Sequence, residues 1–355
     1  MGRKNGYYFI GLGLLSSALW IFGNYFGLGY TDDSYYYVQL FPSDQVSIFE
    51  RQRLFPFVIS LFDNPANGAR IINFISLLGI QLIWYRIITK SSLSESYQIL
   101  TFGLIALGVP TLLVSSFIWT ETLFILITSV CFWLYLKFRK SRNYTLLILL
   151  AIGLLLSVWS RKVGLITGAA FTIALIQDQI KQQGLRKIAM VLWTILLICY
   201  WLIFYKGEPI EMEYVSRNFW FNINGIANWI VPTSFYQWIR MFMLVGMLLL
   251  FTRVDQQAGI GRLFTNYFIL YFLIRLPIDR EFIEEADRYF AILFPAAMFV
   301  FMQTIQAIGG TDKRLNRVLI VLLLMILSLN FMRNIQASFK WHDSRRSHMV
   351  ITSNF

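Results

Sequence analysis

Long apolar runs, separated by short polar segments, recur from one end of the chain to the other. Eleven stand out, at 7–28, 71–88, 98–116, 119–136, 144–160, 163–177, 188–205, 236–252, 263–277, 289–308 and 317–335. A helix of about 20 residues crosses the roughly 30 Å hydrocarbon core of a bilayer, and most of the runs reach or approach that length. The short ones near 119, 163 and 263 are expected to tilt little, to re-enter, or to extend past these limits. The pattern predicts an all-α, polytopic integral membrane protein of about 11 transmembrane helices, a single membrane domain over 1–355. There is no internal repeat, no low-complexity tract and no inverted pair of halves of the transporter kind.

Composition agrees. Of 355 residues, 57% are hydrophobic and 14% charged, with mean hydropathy +0.58. A soluble domain carries about 25% charged residues. Cys131 and Cys199 lie inside apolar runs and imply neither a disulfide framework nor a metal site. His342 and His348 both fall in the C-terminal tail, which argues against a histidine-centred catalytic core. Arg3 and Lys4 precede an apolar run as in a signal peptide, yet no small-residue cleavage pattern follows; the first helix is expected to be retained.

The net charge of +12 changes the picture only through its distribution. The basic loops around Arg3/Lys4, Arg86/Lys90, 137–142, 181–187, Arg253/Arg262 and 313–317 all fall on one side of the predicted bundle. That side holds 16 of the 31 basic residues and four of the 19 acids. Basic short loops face the cytoplasm, so topology explains the charge and no nucleic-acid partner is needed. The N-terminus is then cytoplasmic and the C-terminus outside. The outer face carries the long segments 29–70, 206–235 and 278–288 and the short tail 336–355, and irregular charged polypeptide is where function usually sits.

In the first outer loop, Asp32 and Asp33 follow closely on the first span. A carboxylate at a membrane boundary is partly desolvated, its pKa rises, and it becomes a usable general base; two together permit but do not require a divalent cation. Tyr35, Tyr36 and Tyr37 suit the interface. Residues 43–60 can form an interfacial helix with Phe49, Leu54, Phe55 and Phe57 on lipid or protein, and Arg51 and Arg53 available to phosphate. The alternative is a loop of solvated acids and anchoring tyrosines. Three further outer positions carry charge. Glu121 opens the fourth span, where a helix cap would also explain it. Arg161 and Lys162 occupy a tight hairpin tip that could equally be a solvated turn. Arg288 and Tyr289 stand shortly before Pro295, after an acidic loop that could pair internally with Arg280 or Arg288.

Taken in order, these segments resemble the GT-C superfamily of multi-span glycosyltransferases, above all its mannosyltransferase-like members, which use polyprenyl-phosphate or diphosphate sugars. Thr31-Asp32-Asp33-Ser34-Tyr35-Tyr36 is similar to their acidic motif after the first span. Arg53-Leu54-Phe55-Pro56 is similar to an Arg–aromatic–Pro stretch, and Trp119-Thr120-Glu121-Thr122-Leu123-Phe124 to a Pro-Ser-Glu-Leu-Phe element. Ser160-Arg161-Lys162-Val163-Gly164-Leu165 is similar to a Thr-Arg-x-x-Gly element, and Arg288-Tyr289 with Pro295 to a late Arg-Tyr–Pro element. The resemblance covers roughly residues 1–300. The chain is short for the superfamily, and no large outer C-terminal domain follows.

The resemblance implies transfer of a sugar from a polyprenyl-phosphate donor to an acceptor hydroxyl on a glycan, lipid or protein at the outer face, with inversion. Asp32 or Asp33 would be the base. Arg288, Arg161, Lys162 and Arg53 would hold the donor phosphate. Glu121, Tyr35, Tyr36 and Tyr289 would position the acceptor, or Glu121 would hold a cationic side chain. Some relatives use a divalent cation and others none. Shortness and few cysteines favour a bacterial inner membrane. The competing readings are a polymerase using a diphosphate-linked glycan and a transporter of lipid-linked substrates; the latter predicts ionisable groups near mid-membrane, whereas here charge gathers at span ends.

Overall fold

A chain in hydrocarbon has no water to satisfy its backbone, so helices and the breaks between them must find internal partners. The structure is a computed structural model that describes residues 3–31, 34, 37–38, 54–161, 163–178, 261, 263–267, 270, 291–292, 294–310 and 312–352. Its helices are α1 (Arg3–Gly23), α2 (Leu54–Ser60), α3 (Pro65–Ile88), α4 (Glu95–Ala106), α5 (Val109–Ser115), α6 (Glu121–Ser141), α7 (Tyr144–Ser160), α8 (Gly164–Asp178), α9 (Phe294–Gly309) and α10 (Lys313–Thr352). Among the described residues the only β-type pairing is an isolated parallel bridge between Gly29 and Phe117.

Among the described residues five segments are long and apolar enough to cross a membrane: Gly6–Gly23, Pro65–Ile88, Glu95–Ser115, Glu121–Ser141 and Lys313–Arg345. Three shorter apolar helices, Tyr144–Ser160, Gly164–Gln177 and Phe294–Gly309, accompany them. The chain is a helical, multi-pass membrane protein. Eleven crossings are not what the described residues display: the runs at 188–205 and 236–252, most of 263–277, and the loops 206–235 and 278–288 lie outside them.

The third predicted element is central. The α4–α5 segment is 83% buried, against 17% for α10, and α4 packs on α1, α3, α9 and α10. It is not one helix, as a single span over 98–116 would require, but two, broken at Leu107–Gly108. Pro110 has no N–H to return to the carbonyl of Ala106. That carbonyl instead accepts from the Ser16 hydroxyl of α1 at 2.6 Å, and Gln81 of α3 donates to the same hydroxyl at 3.0 Å. The next carbonyl, of Leu107, accepts from Asn334 of α10. Gly108 is required at the break, because a Cβ there would sit 2.2 Å from the Phe294 ring and 2.5 Å from the Leu104 carbonyl. We expect Ser16→Ala to lower stability by about 1 kcal/mol; a thermal midpoint in detergent unchanged from wild type would refute this account of the break.

The helix expected over 317–335 runs further than its apolar run: α10 continues unbroken to Thr352, through most of the segment 336–355. No Gly or Pro interrupts 313–352, so nothing stops the helix. Its lipid-side residues are apolar and exposed, including Val318, Leu322, Met325 and Met332, while Asn330, Asn334 and Ser338 are buried. The polar stripe faces protein, as intramembrane polar groups do. Gly23 lets α1 and α10 approach closely: a Cβ there would meet the Ser338 backbone at 3.2 Å.

Within the first outer loop, only 54–60 of the expected interfacial segment 43–60 is described, as the seven-residue α2. Leu54 and Phe55 are buried in protein, whereas Phe57 is exposed beside Trp159.

Candidate functional site

The contacts gather the ends of α1, α5, α7 and α10 and the start of α6 at one end of the bundle. The segment 116–120 there is not helical, so each of its carbonyls needs a donor. Ser115 O accepts from Trp20 Nε1 at 3.1 Å and from Asn73 Nδ2 at 3.2 Å, and Phe117 O accepts from Asn73 Nδ2 at 2.7 Å. Ser116 O accepts from the Gly29 N–H at 2.9 Å and from Arg345 Nη2 at 2.6 Å. Ile118 N donates to Gly29 O at 3.1 Å, and Ile118 O accepts from the Ser34 hydroxyl at 3.1 Å.

Residues 29–34 are therefore stitched to 116–119. The ends of the Thr31-Asp32-Asp33-Ser34 tetrad are both fixed. Ser34 N donates to Thr31 O at 2.9 Å, Thr31 N donates to Ser34 Oγ at 2.9 Å, and Trp119 Nε1 donates to Thr31 Oγ1 at 2.9 Å. Ser34 is fully buried. Asp32 and Asp33 themselves lie outside the described residues.

Two residues beyond Trp119, Glu121 opens α6, where the helix dipole favours a carboxylate. It is completely buried and forms an ion pair with Arg161, which is 3% exposed. Arg161 Nη1 also donates to Thr120 Oγ1 at 2.9 Å. Arg161 is thus no solvated turn residue. It caps α7 in extended conformation with its N–H on Ser157 O at 2.9 Å, and the hairpin closes at once when Gly164 N donates to Arg161 O at 2.8 Å. A Cβ on Gly164 would lie 2.3 Å from the Ser157 carbonyl carbon, so glycine alone permits this closure. The hydroxyls of Thr122 and Ser160, adjacent to the pair in sequence, are buried without a partner among the described residues.

Of the alternatives open for Glu121, holding a cation is the arrangement seen. Lys162, Arg53, Arg288, Tyr289, Tyr35 and Tyr36 lie outside the described residues; Pro295 stands in the first turn of α9. Sequence reasoning missed Arg345, Asn24 and Asn73. Arg345 Nη1 donates to Gly23 O at 2.8 Å and to Asn24 Oδ1, and its guanidinium lies 5.7 Å from the centres of both the Phe117 and Trp341 rings. Among the described residues no group of three His, Cys, Asp or Glu side chains could hold a metal.

At the opposite end of the bundle, Ser94 N donates to Gln306 Oε1 at 2.7 Å and Tyr97 to Asn316 Oδ1 at 2.8 Å, beside the basic ends of α6 and α10. Comparison of the chain with protein-family models and with characterised proteins returns no match.

Proposed function

We propose that the protein is a membrane glycosyltransferase of GT-C type, moving a sugar from a polyprenyl-phosphate donor to an acceptor hydroxyl on the outer face of a bacterial inner membrane. The N-terminus is cytoplasmic and the C-terminus outside. The observation that carries this reading is the stitching of Thr31 and Ser34, which bracket the acid pair, to Ile118 and Trp119, immediately ahead of the buried Glu121–Arg161 pair. Thr31 beside the acid motif, Glu121 and Arg161, 40 to 130 residues apart in sequence, share one end of one bundle.

In the reaction, Asp32 or Asp33 takes the acceptor's hydroxyl proton. The oxygen bonds to the anomeric carbon from the face opposite the phosphate, the carbon–phosphate-oxygen bond breaks, and its electrons leave with the polyprenyl phosphate. Charge develops on that phosphate and fixed cations stabilise it; Arg288, Lys162 and Arg53 are the candidates, with Arg161 held by Glu121 at the base of the same region. The acceptor is a glycan, lipid or protein hydroxyl positioned by Tyr35, Tyr36 and Tyr289, and a divalent cation at the acid pair is permitted.

The test is turnover. Purified protein is given a panel of radiolabelled polyprenyl-phosphate sugars with cell-envelope extract as acceptor, and free polyprenyl phosphate is measured alongside labelled product. Release of both from one donor, and its loss in Arg288→Ala, is the expected result. Donor binding without cleavage for every sugar in the panel would end the transferase reading and leave lipid transport to be tested.

A further inference from the structure

Arg345 is a cation with an unusual set of partners. Among the described residues all of its hydrogen bonds go to neutral oxygens: Gly23 O, Asn24 Oδ1 and Ser116 O. No carboxylate among the described residues lies within ion-pair distance of it. A guanidinium has five N–H donors in a rigid fork; three are used by the described residues.

A second cation approaches the same place. Arg70 on α3 is within electrostatic reach of Arg345. The geometry agrees independently. Arg70 stands one turn before Asn73 on the same helix, so the two share a face. Asn73 donates to the carbonyls of Ser115 and Phe117, either side of the Ser116 carbonyl that Arg345 holds. Arg70 has no ion pair or hydrogen-bond partner among the described residues.

The floor beneath Arg345 is aromatic. Phe117 stacks on Trp119 with centroids 4.6 Å apart and meets Trp341 edge-on at 6.2 Å. Two like charges, half-buried at the end of a membrane bundle and with no carboxylate among the described residues to neutralise them, are costly unless an anion joins them. Arginine forks match phosphate oxygens, and tyrosine- and tryptophan-rich bundle ends lie at headgroup depth.

We propose that Arg345 and Arg70 form a binding site for the phosphate of a membrane lipid, with Phe117 and Trp341 beneath it. The site lies beside the acid-bearing turn: a Cβ on Gly29, two residues before Thr31, would be 3.1 Å from Arg345 Nη2. Resting on the transferase reading, this makes the donor's phosphate the natural occupant; a phospholipid headgroup offers the same chemistry. Arg345 is pre-positioned by its three carbonyl-type acceptors, so the ligand orders Arg70 more than Arg345.

Binding, rather than turnover, tests the site, so it stands or falls apart from the transferase reading. Detergent-purified full-length protein is titrated by calorimetry with farnesyl phosphate, with dioleoylphosphatidylglycerol, and with farnesol as a neutral control. Loss of one charge-assisted contact is worth roughly tenfold in affinity. Arg70→Gln, which removes no internal hydrogen bond, is expected to weaken farnesyl phosphate binding about tenfold. Arg345→Gln is expected to weaken it at least as much, and Arg345→Lys to restore only part. Arg317→Gln at the far end of α10 serves as the unaffected control. Loss confined to farnesyl phosphate assigns the site to the donor lipid, and loss for both phosphates assigns it to lipid headgroups in general. Wild-type affinity in Arg70→Gln and Arg345→Gln, or equal binding of farnesol, overturns the site.

Discussion

Arg161→Met is expected to destabilise the protein by about 3–5 kcal/mol, the loss that follows when one partner of a buried ion pair is removed and the other charge is stranded. Glu121 is completely buried, and Arg161 is its ion-pair partner. Without the guanidinium, the carboxylate must be protonated or hydrated in a place built to exclude water. Thr120 loses its donor as well. The damage should be relieved in Arg161→Met/Glu121→Leu, because two apolar side chains of similar volume restore packing without a charge to compensate. Chemical denaturation in detergent, with helicity as the probe, measures both. A single variant within 0.5 kcal/mol of wild type, or a double variant no better than the single, would show that the pair does not hold α6 to the α7–α8 hairpin. The pair is also why stability and activity must be separated here: a loss of turnover in Arg161→Met has two possible origins, and only folded protein can be scored for catalysis.

The helices were legible because burial in lipid writes itself as uninterrupted apolar runs. The expected 144–160 and the observed Tyr144–Ser160 coincide, since Asn143 caps the start through its side chain at 2.9 Å from Thr145 N and the hairpin at Arg161 ends it. The break inside 98–116 was hidden. Gly108 and Pro110 are visible in the sequence, but hydropathy ignores backbone geometry, and the groups that make the break tolerable, Ser16 and Asn334, come from α1 and α10. The extent of α10 was missed for another reason: a window of hydropathy loses the helix once charges begin. The signal was present in the polar spacing Asn330, Asn334, Ser338, His342 and Arg345, which follows one helical face. His342, left aside as a tail residue, stacks on Phe22 with its ring 4.5 Å away.

The acid motif and the Glu and Arg elements could be recognised singly. What no spacing could supply is that Glu121 and Arg161 meet, or that Thr31 and Ser34 fasten on Trp119 and Ile118. Those contacts depend on how α1, α5, α6 and α7 pack, a tertiary fact. Once the packing is known, the sequence SSFIWTE at 115–121 makes sense: its irregular backbone is satisfied by Trp20, Asn73, Gly29, Ser34 and Arg345, so it can carry the turn and the glutamate at fixed positions.

For the proposed reaction, the largest effect is expected at the acid pair. One of Asp32→Asn and Asp33→Asn should lower kcat by about 10²- to 10⁴-fold, the usual contribution of a general base, with KM for the donor little changed. The amide keeps the size and hydrogen-bonding shape of the carboxyl but cannot accept the acceptor's proton. The other variant should lose far less. The asymmetry is the informative quantity, because the flanking Thr31 and Ser34 are fixed by five hydrogen bonds among themselves, Ile118 and Trp119, and one hydroxyl proton is taken by one base. A merely structural acid pair predicts the opposite: both variants fall together, and thermal midpoints fall with them. Transfer kinetics and thermal midpoints measured on the same preparations separate the two. If both variants retain wild-type kcat while remaining folded, no base resides at this turn, and the proton acceptor must be sought elsewhere on the same end of the bundle.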